Sequence, residues 1–293
     1  MSQFFPEELS QSKYGKEAKV AFNAALEAGK VIAKAFSHGP AVIEEKLGFA
    51  DLVTETDKQS EKIIYLALKE SFPDHKFIGE EESSEKGFTS ELTNSPTWMV
   101  DPLDGTTNFI HGFPFCCTSI ALVCEKVPVV GVVYNSALDE LFVAVRDCGA
   151  FFNGVRIEST RRAKELSQAL LITELGVSKD EETVDAILDR IKNLTMCMRS
   201  VRCIGSCALN LCSVALGRAD AFYEIGFGGC WDCAAGALIV TEAGGAVADP
   251  IGTPFNVMGR RVLAASPELL PKIAEILKNS KASSKEPPSL ESF

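Results

Sequence analysis

The 293-residue chain is poor in histidine, with 3, and in basic residues, with 29 Lys and Arg against 40 Asp and Glu. The net charge of -11 makes the surface repel nucleic acid and anionic membrane, and no Lys/Arg cluster offers a local exception. Cys230-Trp231-Asp232-Cys233 matches the C-x-x-C spacing, but a zinc site there would need two more ligands and the chain holds only three histidines. No run approaches the roughly eighteen apolar residues of a membrane span, and residues 1–19 lack the basic start and apolar core of a secretory leader. No short repeat is present either, which excludes a solenoid. The expectation is a cytoplasmic protein whose partners are neither nucleic acid nor membrane. Ten cysteines are too dilute for a disulfide scaffold and read as reduced thiols, most of them core fillers.

What is present is a large core, at 46% apolar content. Residues 16–36 place Val20, Ala24, Val31 and Ala35 near one face of a helix, which ends at a loop around Gly39-Pro40. Thr56-Asp57-Lys58-Gln59 fits a capping box, so a second helix is expected to start at Asp57, with Ile64, Leu68 and Phe72 repeating every four. Residues 118–157 form β-rich runs broken by Pro, Asn, Asp and Gly, the pattern of an antiparallel meander. Beyond them, strand and helix patterns alternate. The fold class is α+β passing to α/β. The expected divisions are an extension over 1–15, an α+β half over 16–157, an α/β half over 158–280 and a disordered, solvated tail over 281–293.

The chemistry concentrates in DPLDGTTNF, residues 101–109, directly after the apolar Trp98-Met99-Val100. A buried strand followed by Gly105-Thr106-Thr107 suits a turn into a helix, whose first N–H groups have no partner within it. Those donors favour phosphate, yet Asp101 and Asp104 would repel it unless a cation lay between them. No Lys or Arg occurs from residue 87 to 125, so a hard metal ion fits the gap, and oxygen ligands select Mg²⁺, Mn²⁺ or Ca²⁺. The same string equally serves as a simple helix cap. Three further segments bear on the choice: Gly79-Glu80-Glu81, Asp57 at a helix start, and Asp232 where a glycine-rich loop opens a small-residue helix. No Lys or Arg occurs from 219 to 259 either.

Gly79-Glu80-Glu81, WMVDPLDGTTNFIHGFP at 98–114 and WDCAAGALIVTEAGG at 231–245 together resemble the inositol monophosphatase family, in order over roughly residues 16–280. The resemblance implies a layered αβαβα sandwich, a homodimer, and lithium-sensitive, Mg²⁺-dependent hydrolysis of a small phosphorylated polyol or sugar. By motif, Glu80, Asp101 and the Leu103 carbonyl would hold one Mg²⁺, Asp101, Asp104 and Asp232 a second, and Asp57 with Glu80 a third. Thr106 paired with Glu80 resembles the device that deprotonates the attacking water, and the turn of Gly105, Thr106 and Thr107 would hold phosphate. Asp104, Gly205, Ser206, Cys207, Glu224 and Asp232 match the family's substrate positions. Cys207 stands where the animal enzymes carry alanine, and EIGFGGCWD is one residue longer than their loop. A similar loop in plant relatives goes with L-galactose 1-phosphate, which makes that ester the rival to myo-inositol 1-phosphate.

Other readings are weaker. Haloacid dehalogenase-type phosphatases place their aspartates two apart, whereas Asp101 and Asp104 are three apart. A calcium loop counted from Asp101 finds Leu103, Gly105 and Gly112 where oxygen ligands belong. Hydrolysis of 3′-phosphoadenosine phosphate or fructose 1,6-bisphosphate calls for more basic residues than Arg199, Arg202 and Arg218. A silent homologue would have lost a carboxylate or Thr106. Cys230 and Cys233 beside Asp232 read as ordinary packing; the alternative, if Asp232 opens a helix, is that its dipole acidifies them and they form a redox switch.

Overall fold

Strands that are apolar on both faces must be covered on both faces, and that requirement sets the layering. In the computed structural model, which describes residues 5–38, 43–48, 51–159 and 163–289, the chain begins with α1 (Glu7–Ser10) and α2 (Gly15–His38). The hairpin β1 (Ile43–Gly48) and β2 (Asp51–Thr54) leads into α3 (Glu55–Ser71), β3 (Lys76–Gly79), α4 (Glu80–Lys86), β4 (Thr97–Asp104) and α5 (Thr106–Ile110). The meander follows as β5 (Cys117–Cys124), β6 (Val127–Asn135), β7 (Glu140–Val145), β8 (Gly149–Phe152) and β9 (Val155–Ile157). Next come β10 (Leu170–Thr173), α6 (Glu181–Thr195), β11 (Ser200–Arg202), α7 (Cys207–Leu216) and β12 (Ala221–Ile225). The chain closes with α8 (Cys230–Glu242), β13 (Ala246–Ala248), β14 (Arg261–Ala265) and α9 (Leu270–Lys278). The expected loop at Gly39-Pro40 lies outside the described residues.

β3 to β9 form a seven-stranded sheet in sequence order, antiparallel except for the parallel β3–β4 pair. Alternate residues feed different cores. Leu141, Val143 and Val145 of β7 join α2 and α3 in one cluster, while Phe142 and Ala144 join α7 and α8 in another. The second sheet runs β11-β10-β12-β14-β13, and its strands divide in the same way. Phe222, Val262 and Ala264 face α7 and α8; Tyr223, Leu263 and Ala265 face α9. The result is the expected αβαβα sandwich. α8 lies between the two sheets, buried from Cys230 to Val240, so its small residues are required by packing. A Cβ on Gly131 of β6 would come within 2.7 Å of the Ala235 carbonyl, and one on Gly236 within 2.6 Å of Leu211 Cβ.

Two sequence expectations change. α3 starts at Glu55, not Asp57: Thr54 is the cap, and Asp57 is the third helical residue, its carboxylate accepting the Thr54 N–H at 2.9 Å. Both ends of Thr54-Glu55-Thr56-Asp57 can cap, which is the S/T-x-x-D/E pattern two residues early. The tail, mostly exposed over its described residues 281–289, is nonetheless anchored. Ser283 is buried against Thr183, and Glu286 meets Arg190 with side chains only 6% and 4% exposed. Arg261 donates to the Pro287 carbonyl at 3.1 Å. Composition misses this because the tail is anchored by polar pairs rather than by an apolar face.

Candidate active site

In a regular strand, residues three apart point to opposite faces. Asp101 and Asp104 escape this because β4 bulges between them: Asp101 pairs with Ser119 but Asp104 with Cys117, so three steps on β4 match two on β5. Pro102 sits in the bulge, where its missing N–H costs no ladder bond, and its carbonyl accepts the Thr118 hydroxyl at 3.0 Å. The Leu103 N–H turns to Asp101 Oδ1 at 2.9 Å. Gly105 then takes φ +89°, a left-handed conformation that favours glycine, and lets α5 begin.

The remaining acids stand at helix starts, where partial positive charge favours a carboxylate. Asp57 is the third residue of α3, Glu80 the first of α4, and Asp232 the third of α8. Asp104 serves a helix it does not belong to: Oδ2 accepts the Ser206 hydroxyl at 2.6 Å and the Ala208 N–H at 2.7 Å, at the start of α7. Glu61 of α3 accepts the Glu81 N–H at 3.1 Å and so holds the first turn of α4. The Thr106 hydroxyl lies 3.2 Å from Asp57 Oδ1 and 3.1 Å from the Leu103 carbonyl, and its one proton serves one of them at a time.

Asp57, Asp101, Asp104 and Asp232 are all buried. Burial, then the charges of Glu80, Asp104 and Asp232, hold the Asp101 carboxyl far above the usual range. Burial followed by Asp104 and Glu80 does the same to Asp232. Asp104 is pushed up to about 7, burial outweighing its Ser206 and Ala208 hydrogen bonds. Glu224 of β12 is raised by burial, Glu174 and Asp232, and its Oε2 is buried without a hydrogen-bond partner. Helix starts alone therefore do not neutralise these acids. Among the described residues they do not close into a ready-made cage of three or more metal ligands. They form an open, mutually repelling set of oxygen donors, which a hard divalent cation fits by its charge and ligand preference.

The inositol monophosphatase family model matches residues 14–282. The chain belongs to the inositol monophosphatase family. With that family it is a phosphatase, a phosphoric monoester hydrolase. Inositol monophosphatase 2 of Solanum lycopersicum is 54% identical over 250 residues, 85% of this chain and 93% of that protein. Inositol monophosphatase of Mesembryanthemum crystallinum is 52% identical over 260 residues, covering 89% and 95%. The crystal structure of extragenic suppressor protein suhB from Bartonella henselae superposes with a TM-score of 0.81 at 34% identity, over 90% of this chain and 99% of that one.

Within this inositol monophosphatase fold, Asp101, Asp104, Asp232 and Glu80 act on one another electrostatically, and Asp57 joins them through Thr106. The Thr106 hydroxyl bonds Asp57, which the first turn of α3 carries to it, and Glu80 opens α4. Ser206 and Cys207 are buried beside Asp104, and Gly205 is exposed with Thr107. Cys230 and Cys233 lie in the core, as packing predicts, and burial pushes both thiols up, against the dipole alternative. Sequence reading missed Asn108 and Glu174, which hold the segment before Ser206. Glu174 ends an apolar strand as Glu80 does, and that shared signal could have found it.

Proposed function

We propose that the chain hydrolyses myo-inositol 1-phosphate and related polyol or sugar phosphates with two or three Mg²⁺ ions, by direct attack of water. The observation that carries this reading is the set of buried, mutually repelling carboxylates Asp101, Asp104 and Asp232 with Glu80 beside them. Glu80, Asp101, the Leu103 carbonyl, Asp104, Asp232 and Asp57 would hold the ions, which supply charge neutralisation and acidify water when bound. The N–H groups of Gly105 and Thr106, with Thr107, orient the phosphate at the start of α5. With its proton turned to Asp57, the Thr106 hydroxyl offers a lone pair to an incoming water and aligns it for in-line displacement. No acid is needed as a covalent nucleophile. For the alcohol, the unpartnered Glu224 Oε2 accepts a substrate hydroxyl, beside Asp104 and the segment Gly205-Ser206-Cys207.

A second reading, L-galactose 1-phosphate as the main substrate, is favoured by the loop Gly226-Phe227-Gly228-Gly229 that follows Glu224. Arg260 braces it through the Phe227 and Gly226 carbonyls at 2.6 and 3.2 Å. Phosphate release from the two esters, with Mg²⁺ and with EDTA, tests both readings. Metal-dependent turnover is expected, and the ratio of kcat/KM assigns the substrate. A trapped aspartyl phosphate, or turnover unaffected by EDTA, would overturn the mechanism. The same reading includes a homodimer, checked by light scattering, inhibition by lithium, checked in the same assay, and a cytoplasmic location, checked by fractionation. No helix among the described residues is long and apolar enough to cross a membrane.

A further inference from the structure

The segment Ile204-Gly205 leads into Ser206 and α7, and its backbone is held from two sides by two side chains. Glu174 Oε1 accepts the Ile204 N–H at 2.9 Å and the Gly205 N–H at 2.7 Å, and also the Asn210 side-chain amide at 2.7 Å. Asn108 Nδ2 donates to the Ile204 carbonyl at 2.7 Å, to the Phe115 carbonyl at 2.8 Å and, more weakly, to the Gly205 carbonyl at 3.3 Å. Three carbonyls around one nitrogen fix the amide's orientation, since its oxygen would meet only acceptors. All four backbone polar groups of the dipeptide are thus engaged by an acid after β10 and an amide from α5.

The contact is also tight. Gly205 has φ +91°, and a Cβ there would come within 2.8 Å of Asn108 Nδ2. A Cβ on Gly105 would come within 3.0 Å of the Gly205 carbonyl. The turn assigned to phosphate and the loop assigned to the alcohol therefore touch through two glycines. Asp104 ties them again through Ser206 and Ala208.

Resting on the functional reading above, we propose that Asn108 and Glu174 are a positioning pair that sets the spacing between the phosphate turn and the loop Gly205-Ser206-Cys207. They thereby determine the preference for polyol phosphates over phosphate esters that lack a hydroxylated ring. Neither residue touches the reacting atoms. Because a hydrogen-bonded binding loop displaced by a fraction of an ångström loses alignment rather than chemistry, the effect falls on the alcohol end of the substrate.

The test compares myo-inositol 1-phosphate with 4-nitrophenyl phosphate, with Mg²⁺, for the wild type, Glu174→Ala, Glu174→Gln and Asn108→Ser, with a thermal melt of each. Glu174→Ala and Asn108→Ser are expected to lower kcat/KM for the inositol ester by about tenfold or more, chiefly through KM, while 4-nitrophenyl phosphate changes by less than about threefold. Glu174→Gln keeps an oxygen acceptor facing all three donors and is expected to restore the preference. If Glu174→Ala does not fold, Asn108→Ser decides. Equal loss on both esters, or no change on either, in an enzyme whose wild type is active would overturn the positioning pair alone. A wild type inert toward both esters would overturn the functional reading and this proposal with it.

Discussion

Acidic side chains are buried in two parts of the molecule under opposite conditions. In the outer layer, Glu286 meets Arg190 through bonds of 2.5 and 2.6 Å, and Asp249 meets Arg261 through bonds of 2.7 and 3.1 Å. At the site, the leading influences on Asp101 and Asp232 are burial and other carboxylates. Removing a charge from water costs several kcal/mol unless a partner compensates it. The outer acids are compensated within the chain, so they hold structure together. Asp101 and Asp232 meet other carboxylates instead, and this leaves them available to a ligand that brings positive charge. The contrast extends to helix caps: Asp180, capping α6, is lowered by Ser178 and Lys285, whereas burial and its acidic neighbours raise Asp232 near the start of α8.

The contrast is broken most directly at Asp101. Asp101→Asn is expected to reduce Mg²⁺-dependent kcat by about a thousandfold while leaving the metal-free melting temperature unchanged or higher, since it removes a buried carboxyl whose ionisation its neighbours oppose. A lower melting temperature would mean that the site acids are structural after all. The outer pair is expected to behave inversely. Arg190→Met leaves Glu286 buried alone and should cost about 3–5 kcal/mol in urea unfolding, with Arg190→Met/Glu286→Leu regaining most of it. The kcat of the folded fraction should stay within about twofold of wild type, because the pair touches no site residue.

A smaller effect sharpens the contrast through pH. Asp101, Asp104 and Asp232 have folded pKa values above their unfolded values near 4, with Asp104 at about 7. Between those limits the native state holds more protons than the unfolded chain, so stability falls as pH rises. In EDTA, the melting temperature should decline from about pH 5 to pH 7, and Mg²⁺ should flatten the decline by taking the place of the protons. A decline identical in Mg²⁺ and EDTA would argue against cation binding by these acids. The smallest effect concerns the cap of α3: Thr54→Ala should cost about 1 kcal/mol by thermal melting. It should also raise the Mg²⁺ concentration needed for half-maximal rate, because Thr54 holds Asp57.

Much of the molecule is legible in the chain itself. Near-continuous apolar runs in β4 to β7 announce strands covered on both faces, and the glycine before Thr106 announces a turn into a helix. The acids of the site are recognisable because basic residues are missing from residues 87–125 and 219–259. Other features are not legible. Asp57 is recognised as a helix-start acid, but its partnership with Thr106 spans 49 positions and depends on how α3 packs beside β4. Asn108 looks like an ordinary polar residue, and Glu174 shows only as an acid ending an apolar strand, until the two halves meet at Gly205. The tail reads as solvated because its anchors, Arg190 and Arg261, are distant in sequence.

The sequence by itself determined the order of strands and helices, helix starts near Asp57 and at Asp232, and the family, since these depend on local periodicity, capping and motif spacing. Tertiary structure alone decided which acids are neutralised. That outcome depends on burial and on distances between groups scores of residues apart, which the bulge in β4, the close approach at Gly105 and Gly205, and the docking of the tail create together.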